Sequence, residues 1–207
     1  MARFVLVHGA WHGGWFFGDV GRALEEHGHT VTAPDLPCDE VGLTQVDYAR
    51  IVGPQPDAVV GGHSLAGQTI SFVEARVRVY LAAILPVENV YSDCFAEGFG
   101  GFVRDDLGRS YWPDADTAAT KMYPDCSRGQ ADWAFPQLRR QAPIGAIASP
   151  FQKEDVIVAT LRDAAVDPDW QMRTAREHGV RVVTLDSGHS PSLTQPDELA
   201  ELLESLA

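Results

Sequence analysis

Three residues of this 207-residue chain carry the side chains needed to attack a carbonyl carbon and manage the proton that the attack releases: Ser64, His189 and Asp163. An alcohol is a weak nucleophile unless a base lies within hydrogen-bond reach, and an imidazole serves best when a carboxylate fixes its tautomer and stabilises its charged form. Ser64 lies in Val59-Val60-Gly61-Gly62-His63-Ser64-Leu65-Ala66-Gly67-Gln68-Thr69-Ile70, an apolar run that passes through small residues around one hydroxyl. The pattern predicts a strand, a sharp turn and a helix, with the hydroxyl lifted clear at the apex. Gly62 and Ala66 flank Ser64 as in G-x-S-x-G, with alanine in the last place. The turn then aims the Leu65 N–H, at the start of a helix, at the space where negative charge would develop. An ordinary strand, a glycine-rich turn and an uninvolved serine would give the same local pattern, so the remainder of the chain has to decide.

Positioning these residues requires a sheet. Phe4 to Val7 is a short unbroken apolar run, as expected of a strand covered on both faces, and it ends in the loop His8-Gly9-Ala10-Trp11-His12-Gly13-Gly14-Trp15. Phe16, Val20, Ala23 and Leu24 follow at helical spacing, with Gly28 placed to stop the helix. Thr30 to Thr32 reads as a strand, Val46 to Val52 as a modest helix, and Leu65 to Ala75 as the helix after the elbow. Val77 to Leu85, stopped by Pro86, is a buried strand. Alternation resumes with Val156 to Thr160, a helix over Asp169 to His178 stopped by Gly179, a strand over Val180 to Leu185, and a C-terminal amphipathic helix on Leu199, Leu202, Leu203 and Leu206. Such alternation predicts a mostly parallel sheet of about six strands with helices on both faces. Residues 87–150 break it. Rich in aromatics, prolines, glycines and acids and without a strand pattern, they read as a mostly helical lid, with cores 1–86 and 151–207 forming one domain.

Ser64, Asp163 and His189 then fall just past the C-terminal ends of three parallel strands, where open α/β sheets assemble sites from distant residues. Other carboxylates compete for the place of Asp163. Asp155 precedes its strand and belongs at the wrong end of the sheet, and Asp186 is too near His189 in sequence to reach its far ring nitrogen. Asp167 stays open as an alternative. A second oxyanion donor is needed beside Leu65, and the loop after the first strand offers Ala10. His8 and His12 in that loop are of the kind that bond backbone carbonyls and fix a turn. His12, Trp11 and the insertion's Trp133 are also candidates for contact with substrate, while His63 reads as packing beneath the elbow.

The composition narrows the partners. A formal net charge of −13 disfavours nucleic acid and anionic membranes, both of which need a basic face. No apolar run approaches a membrane span or a signal-peptide core. Cys38, Cys94 and Cys126 are odd in number and far apart, which suits a reduced cytoplasm, in a monomer or homodimer. No metal-ligand spacing and no phosphate-cradling glycine motif is present, so no metal and no cofactor are expected.

Together, Val7-His8-Gly9-Ala10-Trp11-His12-Gly13-Gly14-Trp15, Gly62-His63-Ser64-Leu65-Ala66-Gly67 and Ser187-Gly188-His189-Ser190-Pro191 resemble the α/β-hydrolase superfamily. The likeness is greatest to the branch that holds methyl-salicylate-type esterases, hydroxynitrile lyases and bacterial esterases, and it includes the segment from Tyr123 to Leu138. It implies an α/β-hydrolase fold, Ser64 as nucleophile, His189 as base, Asp163 as acid, and Ala10 with Leu65 as oxyanion donors. The lyase members place threonine where this chain has Ala10 and lysine where it has Ser190, which disfavours cyanohydrin cleavage. Several connecting segments, including the helix before Ser64, are shorter than is usual in that family. The expectation is a cofactor-independent serine hydrolase acting on a small apolar or aromatic carboxylic ester. Thioester or lactone hydrolysis, a non-hydrolytic cyclisation, and a non-catalytic ligand-binding relative are the alternatives on the same scaffold.

Overall fold

Apolar runs bounded by glycine or proline become strands along the whole chain, which the computed structural model describes from Met1 to Ala207. The first half contains β1 (Arg3–Val7), α1 (Gly18–Glu26), β2 (Thr30–Thr32), α2 (Gln45–Val52), β3 (Gln55–His63), α3 (Ala66–Ile70) and β4 (Ala75–Leu81). One 3-10 turn at Gly14–Phe17 leads into α1, which buries Val20, Ala23 and Leu24. It closes when the His29 N–H reaches back to the Leu24 carbonyl at 3.0 Å, a turn that needs Gly28 at φ 85°. α2 starts on a capping box in which Thr44 and Asp47 satisfy each other's backbone N–H groups.

Between β4 and the next strand of the main sheet lie α4 (Val90–Asp93), the antiparallel pair β5 (Val103–Arg104) and β6 (Ser110–Tyr111), α5 (Ala115–Met122) and α6 (Arg128–Ala134). The chain then continues through β7 (Val156–Thr160), α7 (Pro168–His178), β8 (Arg181–Leu185), α8 (Pro191–Thr194) and α9 (Pro196–Ser205). The main sheet has six parallel strands in the order β2-β1-β3-β4-β7-β8. From β1 the chain steps outward to β2 and then returns across β1 to β3. Right-handed crossovers therefore place α1 on one face, with α9 packed beside it, and α2, α3 and α7 on the other. This reversal opens a crevice beyond the C-terminal ends of β1 and β3. No helix is long and apolar enough to cross a membrane.

Three elements differ from their sequence patterns. The strand expected over Val77 to Leu85 spans Ala75–Leu81, because Ala82 takes φ 46° and leaves the extended region well before Pro86. The helix expected over Leu65 to Ala75 ends at Ile70. Glu74 already accepts a sheet bond from the Gln55 N–H at 2.7 Å, so Val73 to Val77 serve entry into β4 rather than a helix face. Residues 87–150 hold a two-stranded pair and long irregular stretches besides three short helices, because prolines 113, 124, 136 and 143 and the positive-φ glycines 98, 100 and 101 interrupt each helical run.

One ion pair lies inside the sheet. Arg78 on β4 and Asp155 at the entrance to β7 are each 1% exposed, and the guanidinium bonds the carboxylate through Nε at 2.8 Å and Nη2 at 2.6 Å. The Gln152 N–H also donates to Asp155, and Arg78 donates to the Ser71 carbonyl. A bonded pair of this kind offsets its own desolvation only while complete. Arg78→Met is expected to lower unfolding free energy by about 3–5 kcal/mol in urea titrations, and a loss below about 1 kcal/mol would mean that Asp155 is solvated after the change.

Candidate active site

At the end of β3 the backbone turns so tightly that Ser64 takes φ 54°, a conformation costly for any residue with a Cβ. The turn persists because its surroundings allow nothing else. A Cβ on Gly62 would lie 2.8 Å from both the Ala66 carbonyl and the Ile70 side chain, and one on Gly67 would lie 2.6 Å from the Ile84 carbonyl. Ala66 fits at the position where the motif more often has glycine, and is 1% exposed. The Ser64 N–H donates to Leu81 at 3.1 Å and its carbonyl accepts from the Ile84 N–H at 3.0 Å, so the loop after β4 clamps the elbow from outside.

His189 reaches the same place from the loop after β8. Its Nδ1–H donates to Asp163 Oδ2 at 2.9 Å, both side chains being buried, and its Nε2 lone pair is left free. Asp163 is itself fixed. Oδ1 accepts the Ala165 and Val166 N–H groups at 2.8 and 2.9 Å, and Oδ2 also accepts the Thr160 hydroxyl at 3.0 Å. Asp167 is engaged elsewhere, capping α7 through the Asp169 N–H. His63 packs beside the two reacting residues, its ring 4.7 Å from that of His189 and its Nε2–H donating to the His189 carbonyl at 2.8 Å. The Ser64 hydroxyl makes no hydrogen bond, as is common before substrate tightens such contacts. From the opposite side, Asp125 accepts the Gly188 N–H at 2.6 Å, and Ser190 donates to the Met122 carbonyl at 2.8 Å, tying residues 122–125 to the histidine loop.

The loop after β1 forms the remaining wall. Gly9 passes so close to the elbow that a Cβ there would lie 2.8 Å from that of Ser64. His8 Nδ1–H donates to the Gly9 carbonyl at 2.8 Å. In a trans peptide that carbonyl points opposite to the Ala10 N–H, so His8 aims the latter. His12 Nδ1–H donates to the Ala10 carbonyl at 2.7 Å and its Nε2 accepts from the Tyr123 hydroxyl at 2.8 Å, which fixes the next peptide. Arg139 closes the loop: its N–H donates to Trp11 at 2.7 Å, and its guanidinium donates to the His12 and Leu36 carbonyls at 3.0 and 2.6 Å. The Ala10 and Leu65 N–H groups donate to no acceptor in the protein, and both residues line one cavity with Ser64.

That cavity holds about 390 Å³ and is mostly apolar, with Trp11, Phe99, Phe102, Ile144 and Val166 among its walls. Trp11, at φ 65°, donates its indole N–H to Ser110 at 3.1 Å. The other two substrate-contact candidates lie outside it. His12 sits behind Ala10, fully buried, and Trp133 is 53% exposed and packs edge-on against Trp15, 5.4 Å away. Sequence reasoning did not find Arg139, Tyr123 or Thr160, which act through backbone carbonyls or another side chain and carry no local pattern. No group of three His, Cys, Asp or Glu side chains converges to hold a metal.

Burial keeps the loop histidines neutral. Desolvation lowers His8 to about 4 and His12 to about 3, and pushes His63 well below its ordinary 6.5. Unfolding releases all three to titrate near 6.5, so the unfolded chain binds more protons between pH 6.5 and 4. Their contribution to stability is thus complete above about pH 6.5 and falls as pH drops towards 4. Unfolding near pH 5 is expected to take up about two to three protons through these groups, seen as a steep fall of the urea midpoint from pH 6.5 to 4.5; a midpoint independent of pH in that window would contradict their neutral state.

The chain was compared with known proteins on this basis. An alpha/beta hydrolase family model matches residues 4–202. A carbendazim hydrolyzing esterase of Nocardioides sp. (strain SG-4G) is 36% identical over 247 aligned positions that cover 100% of each chain, so about 40 positions of that alignment are empty here. Methylesterase 10 of Arabidopsis thaliana is 25% identical, over 99% of this chain and 91% of its own length. Among solved structures, polyneuridine aldehyde esterase superposes with a TM-score of 0.83 at 21% identity, covering 100% of this chain and 99% of that one. A pyrethroid hydrolase gives 0.77 at 21%, covering 99% and 96%. With nearly the whole length matched and the parallel sheet shared, this chain belongs to the alpha/beta hydrolase family.

Proposed function

We propose that this protein hydrolyses a carboxylic ester of a small, largely apolar acid through an acyl-enzyme on Ser64. The observation that carries this reading is the meeting, in one apolar cavity, of a strained serine with two free N–H groups, beside an imidazole bonded to a buried carboxylate. Relatives named as esterases support the same reaction class. Two relatives carry names that specify small molecules, carbendazim and pyrethroid, which supports a small-molecule substrate here. The segment 87–150, which supplies Phe99, Phe102 and Ile144 to the cavity, serves in this reading as its lid.

The steps follow from the positions. His189 Nε2 takes the Ser64 proton as Oγ attacks the ester carbonyl, and the charge that passes to the carbonyl oxygen meets the Ala10 and Leu65 N–H groups. Imidazolium, stabilised by Asp163, then returns the proton to the departing alkoxide. Water, deprotonated in turn by His189, attacks the acyl-serine and releases the acid and Ser64. Each N–H contributes most where water is excluded, and one such donor is typically worth about 100- to 1000-fold in rate.

A fluorophosphonate is expected to label Ser64 alone, with labelling and esterase turnover both lost in Ser64→Ala; peptide mass spectrometry locates the adduct, and turnover by Ser64→Ala would exclude the acyl-enzyme. Asp163→Asn is expected to lower kcat by about 10,000-fold through the wrong imidazole tautomer, with folding checked by circular dichroism. A loss under about tenfold in a folded variant would remove Asp163 from the reaction.

A further inference from the structure

The cavity contains one charged residue. Phe102 and Arg104 both line it, while Val103 between them turns outward and is 39% exposed, as alternation along a strand requires. Ser110, paired with Arg104 across the β5–β6 ladder, lines the cavity from the same side. The Arg104 guanidinium lies over the Phe102 ring at 5.7 Å and donates through Nη1 to the Gly108 carbonyl at 2.9 Å, and its other N–H groups have no acceptor in the protein.

Its lack of a counter-ion is a local choice. The adjacent Asp105 is fully engaged, by Arg109 at 2.9 Å, by Arg140 at 2.6 Å and by two backbone N–H groups. No ion pair forms between Asp106 and Arg104. Other basic side chains also lack an ion pair, and what distinguishes Arg104 is its place on the wall of an apolar cavity that holds no other charge. A planar guanidinium with donors to spare is the side chain suited to a carboxylate.

Resting on the ester-hydrolase reading, we propose that Arg104 receives a carboxylate carried by the substrate away from its scissile ester. The substrate class is then the monoanionic ester, an apolar spacer with an ester at Ser64 and a free carboxylate at the cavity mouth. Selectivity arises because a neutral ester of the same length leaves the guanidinium to water, whereas the monoanion gains a charge-assisted bond at the edge of a low-dielectric space.

The test compares mono-4-nitrophenyl adipate with 4-nitrophenyl hexanoate, and 4-carboxyphenyl butyrate with phenyl butyrate, so that the carboxylate lies on the acyl side in one pair and the alcohol side in the other. Arg104→Gln is expected to cut kcat/KM for one of the two anionic esters at least tenfold more than for its neutral counterpart, mainly through KM, and Arg104→Lys to restore part of it. Raising salt from 50 to 500 mM should shrink the wild-type preference. Equal effects on both members of both pairs would overturn the assignment. Calorimetry on Ser64→Ala, with monomethyl adipate against methyl hexanoate, separates the two readings. Tighter binding of the monoanion that is lost in the Arg104→Gln double variant, without turnover of any ester by the wild type, would uphold Arg104 and reject ester hydrolysis. Equal binding within this pair and within 4-carboxyphenyl butyrate against phenyl butyrate would reject Arg104.

Discussion

The site depends on how closely two backbone segments approach each other at the ends of β1 and β3. Gly9 and Ser64 meet with no room for a second side chain, and the strained φ of Ser64 is held only because Gly62 and Gly67 let α3 and the loop after β4 press against the turn. Withdrawal of the loop would carry the Ala10 N–H away from the Ser64 hydroxyl. Hydrogen bonds to the carbonyls of Gly9, Ala10, Trp11 and His12 prevent that withdrawal: two come from His8 and His12 of the loop itself, and two from the backbone and guanidinium of the distant Arg139. Precise donors are thus obtained from an irregular loop by bonding its carbonyls rather than by regular structure.

The short α3 shows what that clamping has to replace. A five-residue helix has almost no stability of its own, since the first turn fixes several dihedrals for one hydrogen bond. Every residue of α3 is buried, and its polar side chains are spent on neighbours. Gln68 donates to the Leu85 carbonyl at 2.6 Å and accepts the Ile147 N–H at 2.9 Å, and Thr69 donates to Gln45 at 2.7 Å. Where a longer helix would be anchored along its length, this one is anchored by side-chain amides to the segment that walls the cavity.

What the sequence made legible follows from range. β1, β3, β7 and the helices α1, α7 and α9 are written in local apolar spacing and in caps such as Gly28 and Gly179, and the parallel sheet follows from their alternation. That Ser64, Asp163 and His189 lie at strand ends was legible because such ends converge in a parallel sheet, whereas the bond from His189 to Asp163 rather than Asp167 depends on the turn in which Asp163 accepts two N–H groups and Asp167 caps a helix. The segment 87–150 was not legible in the same way. Its aromatics carry no period, so nothing local distinguishes Phe99 and Phe102, which face the cavity, from Trp133, which packs on Trp15. The Arg78–Asp155 pair was hidden for a related reason: its members are 77 residues apart, and each alone reads as a surface charge.

Electrostatics around Ser64 then reduces to dipoles. His8, His12 and His63 lie in a shell about the elbow, and had any of them carried a charge it would have competed with His189 for protons and with the N–H groups for an oxyanion. Burial removes that competition by keeping all three neutral, at the cost of their tendency to charge when exposed. Each is left to act as a fixed donor to one carbonyl. The fixed charge within this shell is Asp163, opposite the ring nitrogen where, in the proposed mechanism, positive charge appears. A neutral shell with one placed carboxylate therefore stabilises the charge-separated state of that mechanism, and the low dielectric that neutralises the three histidines is the same one that strengthens Ala10 and Leu65 as donors.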